Sequence, residues 1–234
     1  MHRTIAILGG MSPESTVTYY ELITRGYTER FGDYGYPEIL IHSVNFQKYV
    51  DWQHQGRWDL AAEAMADALN RLRRAGADFG LIATNTMHIV FDQVQAAVPM
   101  PLLHIVDVTA EAIRAAGLGR VALLGTVFTM QGEFYRGRLE KAGLQVLTPD
   151  PAGRNTVNTI IYDELCRGVV REESRAELLE IIAKLESQGA EGAILGCTEL
   201  PLLVRPQHCC LPLFDTTALH ARKALEYALN GVNS

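Results

Sequence analysis

The sequence contains one pattern twice, and this internal repeat limits the possible folds more than any other feature. Residues 76–86 read GADFGLIATNT, and residues 189–199 read GAEGAILGCTE. Each copy has a Gly-Ala-acid start, an apolar run and a short polar end, and the copies are 113 positions apart (189 − 76). Thr84 in the first copy corresponds to Cys197 in the second.

Further matching segments occur in the same order at nearly the same separation. They are IAILG (5–9) with VALLG (121–125), Tyr19 with Tyr135, and DVTA (107–110) with DTTA (215–218). Several matches in one order predict two structurally similar halves. If the halves face each other, we expect Thr84 and Cys197 to flank a single cleft from opposite sides, which suits chemistry on both faces of one carbon.

The composition of the 234 residues is that of an ordinary globular protein, with 48% hydrophobic and 21% charged residues. A net charge of −6 argues against binding to nucleic acid. No apolar stretch reaches the roughly 18 residues of a membrane span, and MHRTIAILGG lacks a signal-peptide pattern. The four cysteines form no CxxC pair and nothing has metal-ligand spacing. We expect a cytoplasmic protein without a metal, a membrane or a nucleic-acid partner.

Strand-length apolar runs alternate with amphipathic stretches along the whole chain. The predicted strands are 4–8, 38–44, 79–83, 102–106, 120–124, 144–147, 192–195 and 211–214. The predicted helices are 13–29, 57–75, 86–97, 108–116, 131–142, 157–167, 171–188 and 216–230. The runs are continuously apolar, as in parallel strands buried on both faces. The sequence therefore predicts an α/β fold of two pseudosymmetric lobes, each a four-stranded, mostly parallel sheet with helices on both faces.

The repeat also predicts where the lobes divide. We expect an N-terminal lobe over residues 1–100 and a C-terminal lobe over residues 101–214. The last helical segment, 215–234, is a candidate to pack back onto the N-terminal lobe.

The segment ILGGMSPEST (7–16) is a candidate ligand-binding turn. A buried strand ends in two glycines, after which Ser12 is the predicted N-cap and Pro13 the first helical residue. Glycine lets a backbone approach a ligand closely, and a helix N-terminus attracts anions. A plain strand–helix turn uses the same residues, so both interpretations stay open. The segment is neither a GxGxxG fingerprint nor a P-loop.

The first repeat ends in ATNTMH, which follows a strand and opens a helix. Thr84 is therefore expected at the carboxyl end of the sheet, where open α/β folds bind ligands. Asn85 and Thr86 can either bind a carboxylate or simply cap the helix. We assign His88 a structural role and no chemistry.

The second repeat ends in GCTEL, which places Cys197 between a strand and a helix N-terminus. That position is expected to lower the pKa of the thiol and to favour the thiolate. An inert buried cysteine is the alternative, but the correspondence with Thr84 favours function. Cys166, Cys209 and Cys210 are interpreted as structural.

Taken together, these motifs resemble the aspartate/glutamate racemase family over nearly the whole chain. The segments that carry the resemblance are GGMSPEST, HSVNF, TNT, LLGTVFTM, FYRGRLE, IIYDELCRG, GCTEL and FDTTALHA. They are similar to the branch of amino-acid racemases of broad or L-aspartate/L-glutamate type. The resemblance implies two α/β lobes with the active site between them, an acid–base pair of cysteines, no pyridoxal phosphate or metal, and a homodimer.

One position departs from the common family pattern. The family carries a cysteine before Asn-Thr in the first lobe, where this chain has Thr84, although the branch named above is similar in carrying threonine there. A thiol and a hydroxyl are not equivalent bases, so we do not expect symmetrical racemisation. The resemblance also implies that the second-lobe cysteine, here Cys197, faces the L-substrate.

The resulting hypothesis places a substrate α-carbon between Thr84 and Cys197. Cys197 as thiolate removes the α-proton, and Thr84 serves only as a proton donor or as a relay through water. The predicted ligands of the substrate are Asn85, Thr86, Thr198, backbone amides that include that of Glu199, and, by the resemblance, Met11 and Gln53. The sequence assigns no Arg or Lys to a distal carboxylate and leaves the side-chain specificity open, although Lys48 is a candidate by its place in the motif.

Two other classes of protein stay open at this stage. One is a single-cysteine decarboxylase or isomerase of dicarboxylic acids from the same superfamily. The other is a non-catalytic amino-acid-binding module, in which Thr84 marks lost activity. Exchange of the α-proton with solvent separates a racemase from both.

Overall fold

The computed structural model describes residues 2–230. Within this range the chain divides into two compact units. The first comprises residues 2–105 together with 217–230, and the second comprises residues 106–216. Of the predicted helical segment 215–234, residues 231–234 lie outside the described residues.

The first unit is built on a sheet of four parallel strands in the order β2-β1-β3-β4. The strands are β1 (Ile5–Gly9), β2 (Ile39–Ser43), β3 (Phe79–Ile82) and β4 (Leu102–Leu103). The helices are α1 (Pro13–Phe31), α2 (Phe46–His54), α3 (Trp58–Arg74), the 3-10 turn Thr86–Val90, and α4 (Phe91–Ala97). The last helix of the chain, α11 (Thr216–Leu229), also belongs to this unit.

The second unit has a sheet of the same design, in the order β6-β5-β7-β8. The strands are β5 (Arg120–Gly125), β6 (Gln145–Leu147), β7 (Gly192–Gly196) and β8 (Leu213–Asp215). The α-helices are α5 (Ile105–Ala115), α6 (Val127–Gln131), α7 (Glu133–Lys141), α8 (Pro151–Thr159), α9 (Glu172–Ser187) and α10 (Leu200–Leu203). Between α8 and α9 lie a π-helical turn (Ile160–Glu164) and a 3-10 turn (Leu165–Arg167). A further 3-10 turn, Pro206–His208, follows α10.

The two sheets have the same strand order, because the second, first, third and fourth strands of each unit lie side by side in that sequence. The predicted α/β fold class, with two four-stranded parallel sheets flanked by helices, is confirmed. The third strands, β3 and β7, are the ones that lead into Thr84 and Cys197. The two copies of the internal repeat therefore occupy equivalent positions, at the third strand of two sheets with the same strand order.

The continuous apolar character of the strands follows from burial on both faces. In β1, Ile5 and Ile7 pack in one cluster with side chains from α1 and α11, such as Tyr19 and Ala224. Ala6 and Leu8 point the other way and join a second cluster that includes α3. Neither face of this strand tolerates a polar side chain, so the run carries no alternation.

Some predicted boundaries differ from the structure for local reasons. The predicted strand 102–106 ends at Leu103, because Ile105 already begins α5. The predicted helix 131–142 corresponds to α7, and the short helix α6 before it, which ends at Gln131 and is separated from α7 by Gly132, was not predicted. The predicted helix 157–167 begins earlier, at Pro151, where Asp150 caps the helix by accepting from Gly153 N–H at 2.9 Å.

Helix α2 was not predicted from the sequence. Its residues FQKYVDWQH are mostly polar, and only Tyr49 is buried. Phe46 and Trp52 are partly buried and pack against the same core cluster as Tyr49. This apolar stripe spans only nine residues, which is shorter than the roughly 11- to 18-residue window in which a helical period is recognised. Among the described residues, no helix combines the length and the apolar character needed to cross a membrane.

Candidate active site

In the first unit, the candidate residues follow the carboxyl ends of neighbouring parallel strands. The registers pair Gly9 of β1 with Ser43 of β2, and Leu8 of β1 with Ile82 of β3. The segments that begin at Gly10 and Thr84 therefore leave the sheet at the same edge. This edge is where open α/β sheets bind ligands.

The turn after β1 has the local structure that the sequence predicts. Ser12 is the N-cap of α1, and its hydroxyl accepts from Ser15 N–H at 3.3 Å. Gly10 has a φ of +89°, and a Cβ atom there would lie 2.5 Å from the backbone nitrogen of Val44. The Gly10 N–H donates to the Thr16 hydroxyl at 2.8 Å. The protein's own packing thus accounts for Gly10 in this turn.

The segment Thr84–Thr86 is buried at the end of β3. Thr84 is 9% exposed and Asn85 is 3% exposed. Asn85 precedes the 3-10 turn that starts at Thr86, and its side chain makes no capping hydrogen bond to the part of the chain that the structure describes. The interpretation of Asn85 as a mere helix cap is therefore not supported by the geometry.

His88 holds this segment in place through both ring nitrogens. Its Nδ1 lies 2.8 Å from the carbonyl oxygen of Thr84, and its Nε2 lies 3.3 Å from the backbone nitrogen of Ile105. Since a carbonyl only accepts, Nδ1 carries the proton and Nε2 accepts from the Ile105 N–H. The side chain is 2% exposed. His88 is a buried histidine with satisfied hydrogen bonds, which confirms its structural assignment.

Met11 and Gln53 lie close to the same strand ends. The Gln53 amide donates to the sulfur of Met87 at 3.1 Å, one residue beyond Thr86. Met11 and Met87 are both buried in the cluster that also contains Tyr49 of α2. Gln53 thus approaches the end of β3 only because α2 exists, an element that the sequence analysis missed.

Lys48, the candidate cation for a distal carboxylate, lies on α2. Its ammonium lies 4.7 Å from the centre of the Trp52 ring, a cation–π contact within α2. The structure therefore places this cation against an aromatic ring of its own helix.

In the second unit, Cys197 directly follows β7 and contacts a carboxylate. The Cys197 thiol donates to Oε2 of Glu199 at 2.9 Å, and the Thr198 hydroxyl donates to the same oxygen at 2.7 Å. Glu199 is 7% exposed. Three consecutive residues thus form a compact cluster in which one carboxylate oxygen accepts two hydrogen bonds, one from the thiol and one from the hydroxyl.

The sequence-based expectation of a lowered pKa for Cys197 was wrong in sign. Burial, the charge of Glu199 and the hydrogen bond to its carboxylate together raise the pKa of the thiol well above its ordinary value. The backbone N–H of Glu199 acts in the opposite direction and is outweighed. Helix α10 has only four residues, so its dipole is small. The surroundings of Cys197 therefore favour the protonated thiol.

A segment distant in sequence also lies near Cys197. Tyr162 belongs to the π-helical turn after α8, and Cys166 follows it in a 3-10 turn. Partial burial raises the pKa of Tyr162 to about 12, and the charges of Cys197, Cys166 and Glu199 act in the same direction. Cys166 is exposed and interacts electrostatically with Cys197. It is therefore a neighbour of the candidate catalytic thiol, which its interpretation as merely structural did not anticipate.

From the sequence, only the backbone amide of Glu199 was assigned, and the contact of its side chain with Cys197 was not predicted. A glutamate two residues after a cysteine in a tight strand–helix turn was the available signal. Tyr162 gave no such signal, because π-helical turns have no sequence periodicity, although they are frequent at functional sites.

Chemically, this arrangement can move protons. A thiol hydrogen-bonded to a carboxylate is a proton donor that becomes a base when the carboxylate takes its proton. The Thr84 hydroxyl, at the equivalent position of the other sheet, can donate a proton but is a poor base. Within residues 2–230, no group of three or more His, Cys, Asp or Glu side chains is arranged to hold a metal ion.

Comparison with known proteins shows which family the chain belongs to. The chain is 26% identical to the broad specificity amino-acid racemase RacX of Bacillus subtilis over 228 residues, which cover 94% of this chain and 96% of RacX. A proposed Asp/Glu racemase from Yersinia pestis has a crystal structure that superposes with a TM-score of 0.92 at 46% identity, covering 97% of this chain and 99% of that one.

A third relative is PH1733, an aspartate racemase homologue from Pyrococcus horikoshii. Its TM-score is 0.87 at 39% identity, and the match covers 98% of this chain and all of that one. The family described as Asp/Glu/Hydantoin racemase matches residues 8–224. The predicted family and the predicted enzyme class, an isomerase, are confirmed. The chain belongs to the Asp/Glu/hydantoin racemase family.

Proposed function

We propose that this protein is an amino-acid racemase in which Cys197 and Thr84 act on opposite faces of the same substrate α-carbon. The observation that supports the proposal is that Cys197 and Thr84 occupy equivalent positions in the two units. Each residue follows the third strand of one of two sheets with the same strand order. Racemisation needs one group that takes a proton and one that returns a proton on the other face, and two equivalent positions supply that pair.

The two groups have unequal chemistry. Cys197 carries a thiol that can act as an acid, or as a base after it loses its proton. The Thr84 hydroxyl ionises far above neutral pH, so it donates a proton or relays one through water. We therefore propose that Cys197 removes the α-proton of the L-enantiomer and that a proton is delivered from the Thr84 side.

We further propose that the substrate α-carboxylate is bound by Asn85, Thr86, Thr198 and the backbone N–H of Glu199. Asn85 and Thr86 are buried beside Thr84, so their side chains are fixed relative to the reacting group. Met11 and Gln53 are proposed as further substrate contacts. The burial of Met11 and the contact of Gln53 with Met87 support this assignment.

The proposed mechanism uses no pyridoxal phosphate and no metal. Without a cofactor, the carbanion must be stabilised by hydrogen bonds and fixed dipoles in a site from which water is excluded. A buried hydrogen-bond donor such as the Asn85 amide is suited to this task.

For the substrate, we propose aspartate, glutamate or a broader set of amino acids. The support comes from the relatives, since RacX is named as a broad specificity amino-acid racemase and PH1733 as an aspartate racemase homologue.

The test is incubation with L- and D-amino acids in D₂O, followed by ¹H NMR of the α-position and by chiral chromatography. The panel contains aspartate, glutamate, alanine, leucine and lysine. The proposal predicts α-deuteration together with formation of the opposite enantiomer for at least one of them. Loss of CO₂ instead would indicate a single-cysteine decarboxylase, and binding without any exchange would indicate a non-catalytic module.

We also propose that the protein is a cytoplasmic homodimer. The four cysteines are free thiols, which suits a reducing compartment. Exposed apolar side chains on α1, among them Val17 and Tyr20, provide surface that a second copy could cover. Sedimentation equilibrium should give twice the 25.9 kDa chain mass, and a monomer at all concentrations would contradict the dimer.

A further inference from the structure

The Glu199 carboxylate is the feature of the second unit that the proposed acid–base pair does not use. Its Oε2 accepts hydrogen bonds from the Cys197 thiol at 2.9 Å and from the Thr198 hydroxyl at 2.7 Å, and Glu199 is 7% exposed. The thiol sulfur is the atom that must change between S–H and S⁻ during racemisation. A buried carboxylate within hydrogen-bond distance of that atom is placed to receive the proton.

We propose that the Glu199 carboxylate accepts the proton of the Cys197 thiol and thereby generates the thiolate that removes the α-proton. This inference rests on the proposed function and adds the group that activates the thiol. It is different from the role of Glu199 as a substrate ligand, because that role used its backbone amide.

The proton transfers balance as follows. The S–H bond of Cys197 breaks, its electron pair stays on sulfur, and a new O–H bond forms on Glu199. The thiolate then takes the α-proton of the substrate, which leaves the C–H electron pair on the α-carbon as a carbanion. A proton arrives at the opposite face from the Thr84 side. Glu199 releases its proton to solvent, and solvent replaces the proton that was delivered.

The local structure supports both stages of this transfer. Cys197 packs against an apolar cluster that includes Leu200 and Ile160, and such surroundings oppose an isolated thiolate. A nearby acceptor is therefore needed to ionise the thiol. Once the thiolate forms, the backbone N–H of Glu199 hydrogen-bonds the sulfur and stabilises the negative charge. Glu199 thus supplies both the carboxylate that accepts the thiol proton and the backbone N–H that hydrogen-bonds the thiolate.

Thr198 fixes the geometry of the acceptor. Its hydroxyl donates to the same oxygen that receives the thiol, so Oε2 is held by two neighbours rather than one. A carboxylate on a freely rotating side chain would spend less time within reach of the sulfur.

The experiment compares Glu199→Gln, Glu199→Asp and the wild type, with Glu180→Gln as the matched control. Glu180 is an exposed glutamate on α9 of the same unit. The first measurement is the initial rate of α-deuteration in D₂O of the fastest-exchanging amino acid of the panel. The second is the pH dependence of Cys197 alkylation by iodoacetamide, with the label located by tandem mass spectrometry. Circular dichroism reports folding.

For Glu199→Gln, we expect the exchange rate to fall by about 10²-fold or more, the usual effect of losing an acid–base group. The midpoint of Cys197 alkylation should move to lower pH, because the negative charge and the hydrogen bond that raise the thiol pKa are lost. A slower reaction with a more easily ionised thiol is a combination that a purely structural role does not produce. Glu180→Gln should change neither measurement.

Exchange by Glu199→Gln at more than about a tenth of the wild-type rate, or an unmoved alkylation midpoint, would overturn the proposal. If that variant fails to fold, Glu199→Asp provides the test, since it keeps the negative charge but moves the carboxylate away from the Cys197 sulfur. A lowered exchange rate with alkylation near the wild-type midpoint supports the proposal, and an unchanged exchange rate overturns it. If the wild type itself exchanges no amino acid, the proposed function fails, and the alkylation shift still reports the thiol–carboxylate pair.

Discussion

The Nδ1–H of His88 donates a hydrogen bond of 2.8 Å to the carbonyl oxygen of Thr84, and both residues are buried. The backbone of the proposed proton donor is thus tied to an imidazole four residues further along the chain. Because the same ring also accepts from the N–H of Ile105, His88 links the end of β3 to the start of α5. The position of Thr84 is consequently set by the fold and not by a mobile loop.

Replacement of His88 by alanine should destabilise the protein and disturb Thr84. Leaving the buried carbonyl of Thr84 without this donor costs about 1–3 kcal/mol, which urea unfolding can measure. His88→Asn should recover part of the loss, since its amide can replace the Nδ1–H. His54→Ala, an exposed position, is the control and should stay within about 0.5 kcal/mol of the wild type. Equal stabilities of the three variants would contradict the role of His88.

Substitutions of Thr84 should affect α-deuteration of the L- and D-enantiomers to different extents. Thr84→Ala should leave removal of the α-proton from the L-enantiomer partly intact while it slows the return of a proton. Thr84→Cys should raise α-deuteration of the D-enantiomer, provided that the thiol ionises there. The measurement is initial α-deuteration of each enantiomer separately, because the equilibrium ratio and the ratio of kcat/KM values are fixed at one by thermodynamics.

An alternative outcome would remove Thr84 from the mechanism. If the wild type exchanges both enantiomers equally and Thr84→Ala changes neither rate, another group serves the second face.

His220 should make stability depend on pH in the mildly acidic range. Burial lowers the pKa of His220 from 6.5 to about 4. The neutral ring donates from Nε2 to the carbonyl oxygen of Leu103 at 3.0 Å and accepts at Nδ1 from the Tyr19 hydroxyl at 2.8 Å. Between pH 6.5 and 4 the unfolded chain binds a proton that the folded chain does not. The contribution of the neutral His220 ring to the free energy of unfolding is therefore complete above pH 6.5 and is lost as the pH falls toward 4.

The size of that contribution is on the order of 3 kcal/mol. It is measured as the difference between the pH dependences of the unfolding free energy of the wild type and of His220→Gln. The variant should show the shallower loss between pH 6.5 and 4. Parallel curves for the two proteins would show that His220 does not titrate as described.

The other three cysteines provide a further test. Cys209→Ser and Cys210→Ser should keep most of the wild-type exchange activity. Cys166→Ser should also stay active, but the alkylation midpoint of Cys197 should move slightly to lower pH, because Cys166 helps to raise the pKa of that thiol. Loss of exchange in Cys166→Ser without loss of folding would give Cys166 a part in the chemistry.

The sequence predicted those parts of the fold that leave a periodic or repeated signal. Strands such as β1 and β5 are continuously apolar because both of their faces are buried, and the repeat indicated that Thr84 and Cys197 hold equivalent positions. Helix α2 left only a short signal, because its apolar stripe is confined to nine residues. Gln53 was therefore assigned by resemblance, and its contact with Met87 became visible only in the structure.

The ionisation of Cys197 was mispredicted for an electrostatic reason. The sequence indicates that a helix follows the cysteine, but it does not show that the helix has four residues or that the Glu199 side chain turns back onto the sulfur. Both depend on side-chain orientation in a tight turn. Likewise, Tyr162 reaches the neighbourhood of Cys197 through tertiary packing, which no local pattern encodes.

The measurement that tests the central claim most directly is α-deuteration of the L-enantiomer by Cys197→Ser. A serine hydroxyl fits the site but does not ionise near neutral pH, so the exchange rate should fall by about 10²- to 10⁴-fold while circular dichroism shows an intact fold. If the folded variant keeps more than about a tenth of the wild-type rate, Cys197 is not the base that removes the α-proton.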